Sequence, residues 1–535
     1  MGIFRERSTK FVLLAVMFAL AVSSAAIVGC GDETSSRAVF TYAESSDPAS
    51  LDPAQVDDVV GINIDRYLFD GLVRYDSETS QVVPAVAESW ESSSDATEFT
   101  FHLRKGVMFT NGSEVNAGDF VYSWTRALAP ETMSSIAYAI LEPVKGATDL
   151  ADGITDTLPG VEAIDEYTLK VTLEYPMSDF VSLLGHPVAA PVPQDAVENT
   201  TLRFAENPVG NGPFRLTEWK HDDQVVLEKN PDYYGEAAKV DQAVARIIPN
   251  PATAVAELKA GNVDAVRNIP VGQTEALRND SEVEFFQGPA NTVRFLAFDV
   301  TSPPFDEQRV RESFAWSLDL NMIAEKVLQG QEYAADGIVP TAIPGHQADA
   351  RSNNYDPETT ATLLEAAGFP GGAGLPGMTL YYPGVGPSAD VAQAIQSELK
   401  KVGIQVEISG LEEGAFRDQM IDGELSLFLI SWQADAPSID SFLFPLFESG
   451  NIGATNVFQY EDLKVDELLG SARSALDEKQ RIDFYNAAER KILATAPMVP
   501  ISFGQDAMIY SPRVTSFVHT PLGDIALDEI IVSNK

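Results

Sequence analysis

The chain has 535 residues, of which 45% are apolar and 21% charged, and its formal net charge is −43. This composition is typical of globular proteins rather than disordered ones, and the length is sufficient for two or three domains. The strong negative charge excludes nucleic acid and anionic lipid headgroups as partners of the folded part. A single cysteine excludes an internal disulfide.

The N-terminus has the layout of a secretory signal. A basic segment at 5–10 precedes the apolar residues Phe11–Val28, which are followed by Cys30, the lone cysteine. A cysteine directly after the cleavage site resembles the lipobox of bacterial lipoproteins, in which the thiol is lipidated. We therefore expect a signal peptide over 1–29, lipidation at Cys30 and a polar tether over 30–37. The alternatives are an ordinary signal peptide with an incidental cysteine, or an uncleaved anchor helix.

Sequence periodicity predicts both strands and helices along the rest of the chain. Phe99–Leu103 and Leu169–Leu173 carry an apolar side chain at every second position, which is the period of a half-buried strand. Helices are predicted over 310–318, over 357–368 behind an Asp-Pro start, and over 477–494. The sequence therefore predicts a mixed α and β fold with several lobes.

No catalytic motif stands out in the sequence. The Ser-x-x-Lys pattern at Ser397–Lys400 lacks the partner motifs of the serine enzymes that use it, and it lies on a helical pattern. The sequence contains no Gly-x-Ser-x-Gly, no His-Glu-x-x-His and no EF-hand loop, and its five histidines are far apart. We expect a protein without enzymatic activity, cofactor or metal site.

A series of short motifs extends over nearly the whole chain after Cys30. In order, they are Leu51-Asp52-Pro53, Leu68–Leu72, Pro84–Trp90, Phe99–Gly106, Phe109–Gly112, Asp119–Trp124, Gly212-Pro213-Phe214, Asn230–Tyr234, Pro303–Asp306 with Arg309–Arg311, and Ile430–Asp435. In this combination and order they resemble the family 5 extracellular solute-binding proteins of ABC importers, especially the oligopeptide-binding members. The resemblance implies an α/β fold of the periplasmic-binding-protein type II class, with three lobes and a hinge.

The family's fold implies a division in which one domain is assembled from three separate segments. Domain I comprises 38–70, 196–290 and 505–535, domain II is an insertion over 71–195, and domain III covers 291–504. Domain III closes over the ligand like a flytrap in this fold. Turn-rich segments at 191–193 and 207–213 agree with a boundary between domains II and I.

Peptides of varied sequence share a backbone and charged termini. A tolerant binder must therefore hydrogen-bond that backbone like an added strand and pair the termini. The run at 425–432 is apolar and strand-like. By resemblance, Asp435 pairs with the peptide's α-ammonium. The resemblance also implies that Ser431, Trp432 and Gln433 offer backbone groups, and that Val59 makes a facing contact from domain I. The alternatives to these ligand-binding roles are that Trp432 is an ordinary core residue and that Asp435, which precedes Ala-Pro, is a turn residue.

The chain departs from the oligopeptide-binding pattern at two kinds of position. Met420 and Leu429 stand where the resemblance places basic residues that grip a peptide carboxylate in relatives. The relatives' disulfide corresponds approximately to Thr292 and Gln433, so both of its cysteines are absent here. The resemblance therefore leaves peptide length and recognition of the C-terminus open.

Together these expectations predict a lipid-anchored monomer that captures oligopeptides and delivers them to an ABC permease and its ATPase. The anchor implies the periplasmic space or the outer face of the cytoplasmic membrane. One alternative is the same fold binding a dipeptide, a nickel chelate or an oligosaccharide. Alternatives of other classes are an envelope lipoprotein hydrolase, and a chaperone-like or signalling receptor on the same scaffold.

Overall fold

The computed structural model describes residues 37–199, 203–267, 269–270, 272–351, 354–384, 386–434, 436–520 and 522–533. The predicted signal peptide, Cys30 and Asp435 lie outside the described residues. Residues Ala38–Ser533 belong to one structural unit. None of the helices in the described segments combines the length and apolarity that crossing a membrane requires.

Strands occur from the beginning to the end of the described chain. In order, they are β1 (Val39–Glu44), β2 (Val73–Tyr75), β3 (Val82–Pro84), β4 (Ala87–Ser92), β5 (Glu98–Leu103), β6 (Val161–Asp165), β7 (Thr168–Thr172), β8 (Phe214–Lys220), β9 (Gln224–Lys229), β10 (Gln242–Ile247), β11 (Ala265–Val266), β12 (Glu284–Phe298), β13 (Glu332–Ala334), β14 (Met378–Pro383), β15 (Val406–Leu411), β16 (Leu427–Gln433), β17 (Met498–Tyr510), β18 (Val514–Ser516) and β19 (Ile531–Val532).

Helices alternate with these strands. In order, the α-helices are α1 (Val59–Leu68), α2 (Ala117–Leu128), α3 (Ala137–Leu141), α4 (Ala147–Ala151), α5 (Phe180–Leu183), α6 (Gln194–Val197), α7 (Pro251–Lys259), α8 (Thr274–Arg278), α9 (Gln308–Ser317), α10 (Leu320–Met322), α11 (Pro357–Ala366), α12 (Ser388–Lys401), α13 (Glu413–Ile421), α14 (Asp440–Phe447), α15 (Leu463–Ser474) and α16 (Glu478–Thr495). Short 3-10 or π turns cover Pro130–Thr132, Pro187–Ala189, Phe204–Glu206, Ile323–Val327, Pro370–Gly372 and Ser449–Asn451.

The elements predicted from periodicity form where expected. The apolar positions of both predicted strands are buried in β5 and β7, and these two strands pair with each other. Asp356 caps α11 by accepting hydrogen bonds from the Glu358 and Thr359 N–H groups, and Pro357 occupies the first helical position. The predicted helices over 310–318 and 477–494 correspond to α9 and α16. The mixed α/β class is therefore confirmed.

Among the described residues, one large sheet contains β1 and all strands from β8 to β17, whereas β2 to β7 and the pair β18-β19 form smaller sheets. Its strand order is β15-β14-β16-β12-β17-β11-β1-β10-β9-β8, and β13 pairs with β17 beside this path. Parallel pairs such as β1 with β10 join segments separated by about 200 residues. Such pairs require long crossover connections, and the large sheet is accordingly flanked by helices.

The long strands β12 and β17 join two halves of the large sheet. At one end, Glu284–Pro289 pairs with β17, which also pairs with β11; at the other, Thr292–Phe298 pairs with β16. Between these ends the β12–β17 register shifts from Pro289 to Val293, opposite Gly504. A bulge of this kind bends and twists the paired strands, so the two halves meet at this irregularity.

The segment between β4 and β7 forms a separate four-stranded antiparallel sheet of order β4-β5-β7-β6. It packs with α2 to α5 around a hydrophobic cluster drawn from residues 54–189, with Ala436 as the one described member from outside this range. The two halves of the large sheet carry other hydrophobic clusters. This distribution agrees with an inserted domain, while the boundaries given above remain predictions.

Candidate functional site

The strand predicted over 425–432 is β16, and its two ends differ in burial. Leu427 to Leu429 are fully buried, whereas Ser431 and Gln433 are exposed. Trp432 is half-buried, and its indole N–H donates a hydrogen bond to the Ser441 carbonyl at 2.9 Å. Because side chains alternate across a strand, Trp432 points to the apolar face while its two neighbours point away from it. Ser431, Trp432 and Gln433 thus lie together on one strand end.

The register of β16 against β12 places the remaining predicted positions. Thr292 lies directly opposite Gln433, and Arg294 lies opposite Ser431. Directly opposed residues of an antiparallel pair have Cα atoms about 4.5–5.5 Å apart. Thr292 and Gln433, the two positions that the resemblance aligns approximately with a disulfide, are therefore direct neighbours in this chain.

The other edge of β16 is paired over a short stretch. On that side, β14 runs parallel to β16 and meets it at Tyr381 and Phe428, and β14 ends at Pro383. Within the described segments, no strand pairs with that edge of Ile430–Gln433. Alternate backbone N–H and C=O groups of this stretch therefore point away from β12 without a strand partner. We call Ile430–Gln433 the free strand end.

Val59 lies on a different element from the other predicted residues. It is the first residue of α1, whose N-cap Asp58 accepts a hydrogen bond from the Gly61 N–H at 2.8 Å. Its side chain is 56% exposed, which is unusual for valine in a helix of this protein. Exposure of a large apolar side chain beside a cavity is expected of a ligand contact. Val59 and the free strand end therefore lie on two different elements, α1 and β16.

A cavity of about 240 Å³ adjoins Val59. Its lining includes Glu44 at the end of β1, Arg267 after β11 and Asp506 on β17, together with Ala43, Ser45, Val60, Ala507 and Met508. We call Glu44, Val59, Arg267 and Asp506 the charged pocket. Its three charged members come from segments far apart in sequence, and none of them was predicted, because no local pattern marks them.

Two of the three charged residues of this pocket, Glu44 and Arg267, are largely buried and paired with each other. Arg267 Nη1 lies 3.4 Å from Glu44 Oε1, and Arg267 also donates a hydrogen bond to the Gly523 carbonyl. Burial raises the pKa of the Glu44 carboxyl, although Arg267 opposes this shift. Asp506 Oδ2 lies 3.3 Å from His519 Nε2. Glu44 and Arg267 therefore offer a ligand little uncompensated charge, whereas the Asp506 side chain is 34% exposed and its histidine neighbour balances its charge only when protonated.

The positions that would grip a peptide carboxylate in relatives lie in apolar surroundings. Leu429 is fully buried between the large sheet and its helices, and Met420 is partly buried against the same hydrophobic cluster on which Trp432 packs. The described residues also contain no group of three or more histidine, cysteine, aspartate or glutamate side chains placed to hold a metal ion. At the free strand end, the groups offered to a ligand are therefore the backbone and the side chains of Ile430–Gln433.

Comparison with known proteins identifies the family. The profile described as bacterial extracellular solute-binding proteins, family 5 Middle, matches residues 81–454. The periplasmic oligopeptide-binding protein OppA of Escherichia coli K12 is 30% identical over 519 residues, covering 94% of both chains. Heme-binding protein A of Haemophilus influenzae is 27% identical over 532 residues, again covering 94% of both.

Solved structures give the same answer. The unliganded open form of MppA, a periplasmic murein tripeptide binding protein, superposes with a TM-score of 0.83 at 27% identity and covers 94% of this chain and 98% of that chain. The Haemophilus influenzae OppA complex with RPPGFSPFR reaches 0.72 at 28% identity, covering 93% and 99%. At nearly equal identity, the TM-score against the unliganded open form of MppA is therefore higher than that against the OppA peptide complex. The chain belongs to the family 5 bacterial extracellular solute-binding proteins.

Proposed function

We propose that this protein captures oligopeptides outside the cytoplasm and delivers them to an ABC permease and its ATPase, without chemistry of its own. The observation that carries the proposal is the free strand end, Ile430–Gln433, which can accept an extended peptide as an added strand. Main-chain hydrogen bonds are the same for every peptide sequence, so this mode suits a tolerant receptor. A relative named as an oligopeptide-binding protein supports the assignment.

In this proposal the predicted residues have separate tasks. Trp432 is held by its bond to Ser441 and by the apolar face, so it stiffens the strand end that offers backbone groups. Asp435 pairs with the peptide's α-ammonium, and Val59 covers the ligand from α1. An ion pair that closure removes from water discriminates strongly against peptides without a free amine. The proposal thus assigns affinity to the backbone and orientation to the N-terminus.

The opposite end of the peptide is held less tightly in this proposal. Met420 and Leu429 offer no charge to a carboxylate, so the C-terminus is not fixed at the place that relatives use. We therefore expect peptides of several lengths to bind. Amidation of the C-terminus should change affinity by less than about threefold, far less than acetylation of the N-terminus.

The test of the proposed function begins with ligands that the protein already holds. Mass spectrometry of small molecules released from the purified, denatured protein should find short peptides. Calorimetry with those peptides on the unloaded protein should then give one binding site. Failure of every peptide to bind, with a sugar or a metal chelate binding tightly, would reject the peptide assignment.

Localisation is tested separately, because Cys30 lies outside the described residues. We propose that Cys30 carries a lipid, which keeps the receptor near its permease at a high effective concentration. Cys30→Ala should release the protein from the membrane fraction and leave peptide affinity unchanged. Retention in the membrane would reject the anchor, and a loss of affinity would assign Cys30 a different role.

A further inference from the structure

The charged pocket contains one carboxylate more than its cation can balance. Its lining has two carboxylates, from Glu44 and Asp506, and one guanidinium, from Arg267. Glu44 and Arg267 are the buried pair of this cavity, with side chains only 6% and 17% exposed. The Asp506 side chain is 34% exposed. While its neighbour His519 is neutral, the lining therefore carries one negative charge that solvent or a ligand can reach.

The imidazole beside Asp506 does not complete the bonding of that carboxylate. His519 is buried, and its Nε2 lies 3.3 Å from Asp506 Oδ2. Within the described residues, this nitrogen makes no hydrogen bond, and the ring packs against Phe286 with centroids 4.8 Å apart. A buried polar atom without a partner is costly and marks a place where a further group can complete the bonding. The Asp506–His519 pair thus favours a cationic or donor group in the cavity.

The remaining lining of the charged pocket is mostly apolar. Val59, Val60, Ala507 and Met508 contribute to it, and Val59 is 56% exposed. A carboxylate combined with hydrocarbon groups matches a basic side chain, which carries a charged head on an apolar stem. The volume of about 240 Å³ is smaller than the about 300–1,000 Å³ of pockets that enclose a whole small-molecule ligand. The cavity therefore suits one side chain rather than a complete ligand.

The register of the large sheet relates this cavity to the free strand end. Gln433 of β16 lies opposite Thr292 of β12, and the next residue, Val293, lies opposite Phe503 of β17. Asp506 is three residues further along β17. With strands about 4.8 Å apart and a rise of about 3.3 Å per residue, Asp506 is on the order of 15 Å from Gln433 along the sheet. An extended peptide covers this distance in about four to five residues, so one peptide can reach both places.

We propose that the charged pocket takes a lysine or arginine side chain of the bound peptide, with Asp506 as the acceptor that determines this specificity. The inference rests on the proposed function, because it needs a peptide at the free strand end. A carboxylate that is partly removed from water favours a peptide with a cation over an uncharged peptide of the same shape. The pocket thus distinguishes among peptides that backbone hydrogen bonds alone bind equally.

The experiment compares peptides of the same shape with and without the charge. Calorimetry on the unloaded protein uses alanine pentapeptides with lysine at each position in turn, and matching peptides with norleucine, whose side chain lacks the ammonium. The Kd of the norleucine peptide divided by that of the lysine peptide should be about tenfold at one position and within about threefold of unity at the others. Asp506→Asn should bring that position to within about threefold of unity and leave the norleucine affinities unchanged, which shows that the variant is folded.

A matched control removes a carboxylate from the same pair of strands. Glu284 is exposed on β12 opposite Tyr510 of β17, and it does not line the charged pocket. Glu284→Gln should keep the lysine preference of the wild-type protein. An equal fall in Glu284→Gln and Asp506→Asn would overturn the inference, because the preference would then come from the overall charge of −43.

Acetylation of the peptide N-terminus distinguishes a basic side chain from the α-ammonium. The lysine preference should persist in the N-acetylated peptides and still be lost in Asp506→Asn. An Asp506→Asn loss that requires a free N-terminus, wherever lysine stands, would assign the carboxylate to the terminus and overturn the inference.

The wild-type titrations separate this inference from the proposed function. Peptides that bind without a lysine preference at any position overturn the inference alone. A wild-type protein that binds none of the peptides overturns the proposed function and this inference with it.

Discussion

The charged pocket and the free strand end offer very different groups to a ligand. In the charged pocket, Glu44 and Arg267 are already paired with each other, and Asp506 lies beside His519. In the free strand end, the side chains of Ser431 and Gln433 are exposed and the outer backbone groups have no strand partner among the described residues. A charge that is already paired within the fold has little left to offer a ligand, whereas backbone groups without a strand partner can pair with an added strand. Under the proposed function, the Glu44–Arg267 pair is scaffold and the free strand end holds the ligand.

The largest loss of stability is expected from removing the cation of the charged pocket. Arg267→Met leaves the Glu44 carboxylate buried without its cation, and removing one partner of a buried pair costs about 3–5 kcal/mol. We expect the free energy of unfolding, measured by urea denaturation, to fall by this amount. Adding Glu44→Gln should recover most of the loss, because no unpaired charge then remains.

The control for this prediction is an ion pair at the surface. Lys479 and Asp483 lie 2.7 Å apart with side chains 84% and 63% exposed, so Lys479→Met should cost less than about 1 kcal/mol. If Arg267→Met costs no more than Lys479→Met, the Glu44–Arg267 pair is not scaffold. Its two residues would then have to be tested as ligand groups by calorimetry.

The next effect concerns binding rather than folding. Asp435→Asn should weaken free-amine peptides by about 2–5 kcal/mol, which is the cost of truncating one partner of a desolvated charge pair. N-acetylated peptides should bind the variant and the wild-type protein equally, since they carry no α-ammonium. Calorimetry on both peptide forms checks the prediction, and equal losses for both would remove the role assigned to Asp435.

The free energy of unfolding should depend on pH with opposite sign for Glu44 of the charged pocket and for His186, a buried histidine elsewhere in the fold. Burial, and secondly Arg66, lower the pKa of His186 from 6.5 to about 3. The folded state therefore keeps His186 neutral, and its stability falls as the pH drops from 6.5 towards 3, by up to about 1.4 kcal/mol per pH unit. Glu44 acts in the opposite direction, because a raised carboxyl pKa removes stability as the pH rises through that pKa.

His186→Asn tests this assignment directly. In the structure, the Val188 N–H donates a hydrogen bond of 3.2 Å to His186 Nδ1. The side-chain oxygen of asparagine can accept the same bond, but asparagine does not titrate. The slope of unfolding free energy between pH 6 and pH 4 should therefore become flatter in the variant. An unchanged slope would show that other groups dominate acid unfolding.

The local structure and the family could be predicted from the sequence, but the charged pocket could not. The alternation at Phe99–Leu103 and the capped start at Asp356 depend on nearest neighbours, and both form as predicted. Glu44 and Arg267 meet because β1 and β11 are neighbours in the large sheet. They are 223 residues apart, and no local pattern specifies that pairing. Only the three-dimensional assembly brings such residues together.

The candidate site also combines features that the sequence predicts with features that depend on the three-dimensional assembly. The strand character of β16 and the half-burial of Trp432 follow from the apolar run that the sequence displays. The lack of a strand partner beyond Phe428 depends on where β14 ends, and the position of Asp506 in the same cavity as Val59 depends on two distant segments. The role of Asp435 came from resemblance, and it remains a prediction because that residue lies outside the described part of the chain.

The smallest effects test whether backbone rather than side chains binds at the free strand end. Ser431→Ala removes an exposed hydroxyl and should change peptide affinity by less than about 0.5 kcal/mol. N-methylation of the peptide at successive positions removes one N–H at a time, each worth about 0.5–1.5 kcal/mol where it is bonded. Because alternate residues of a strand face the same partner, the losses should recur at every second position. Calorimetry of the N-methyl series measures this pattern, and a Ser431→Ala loss larger than that of every N-methyl peptide would instead place recognition in the side chains.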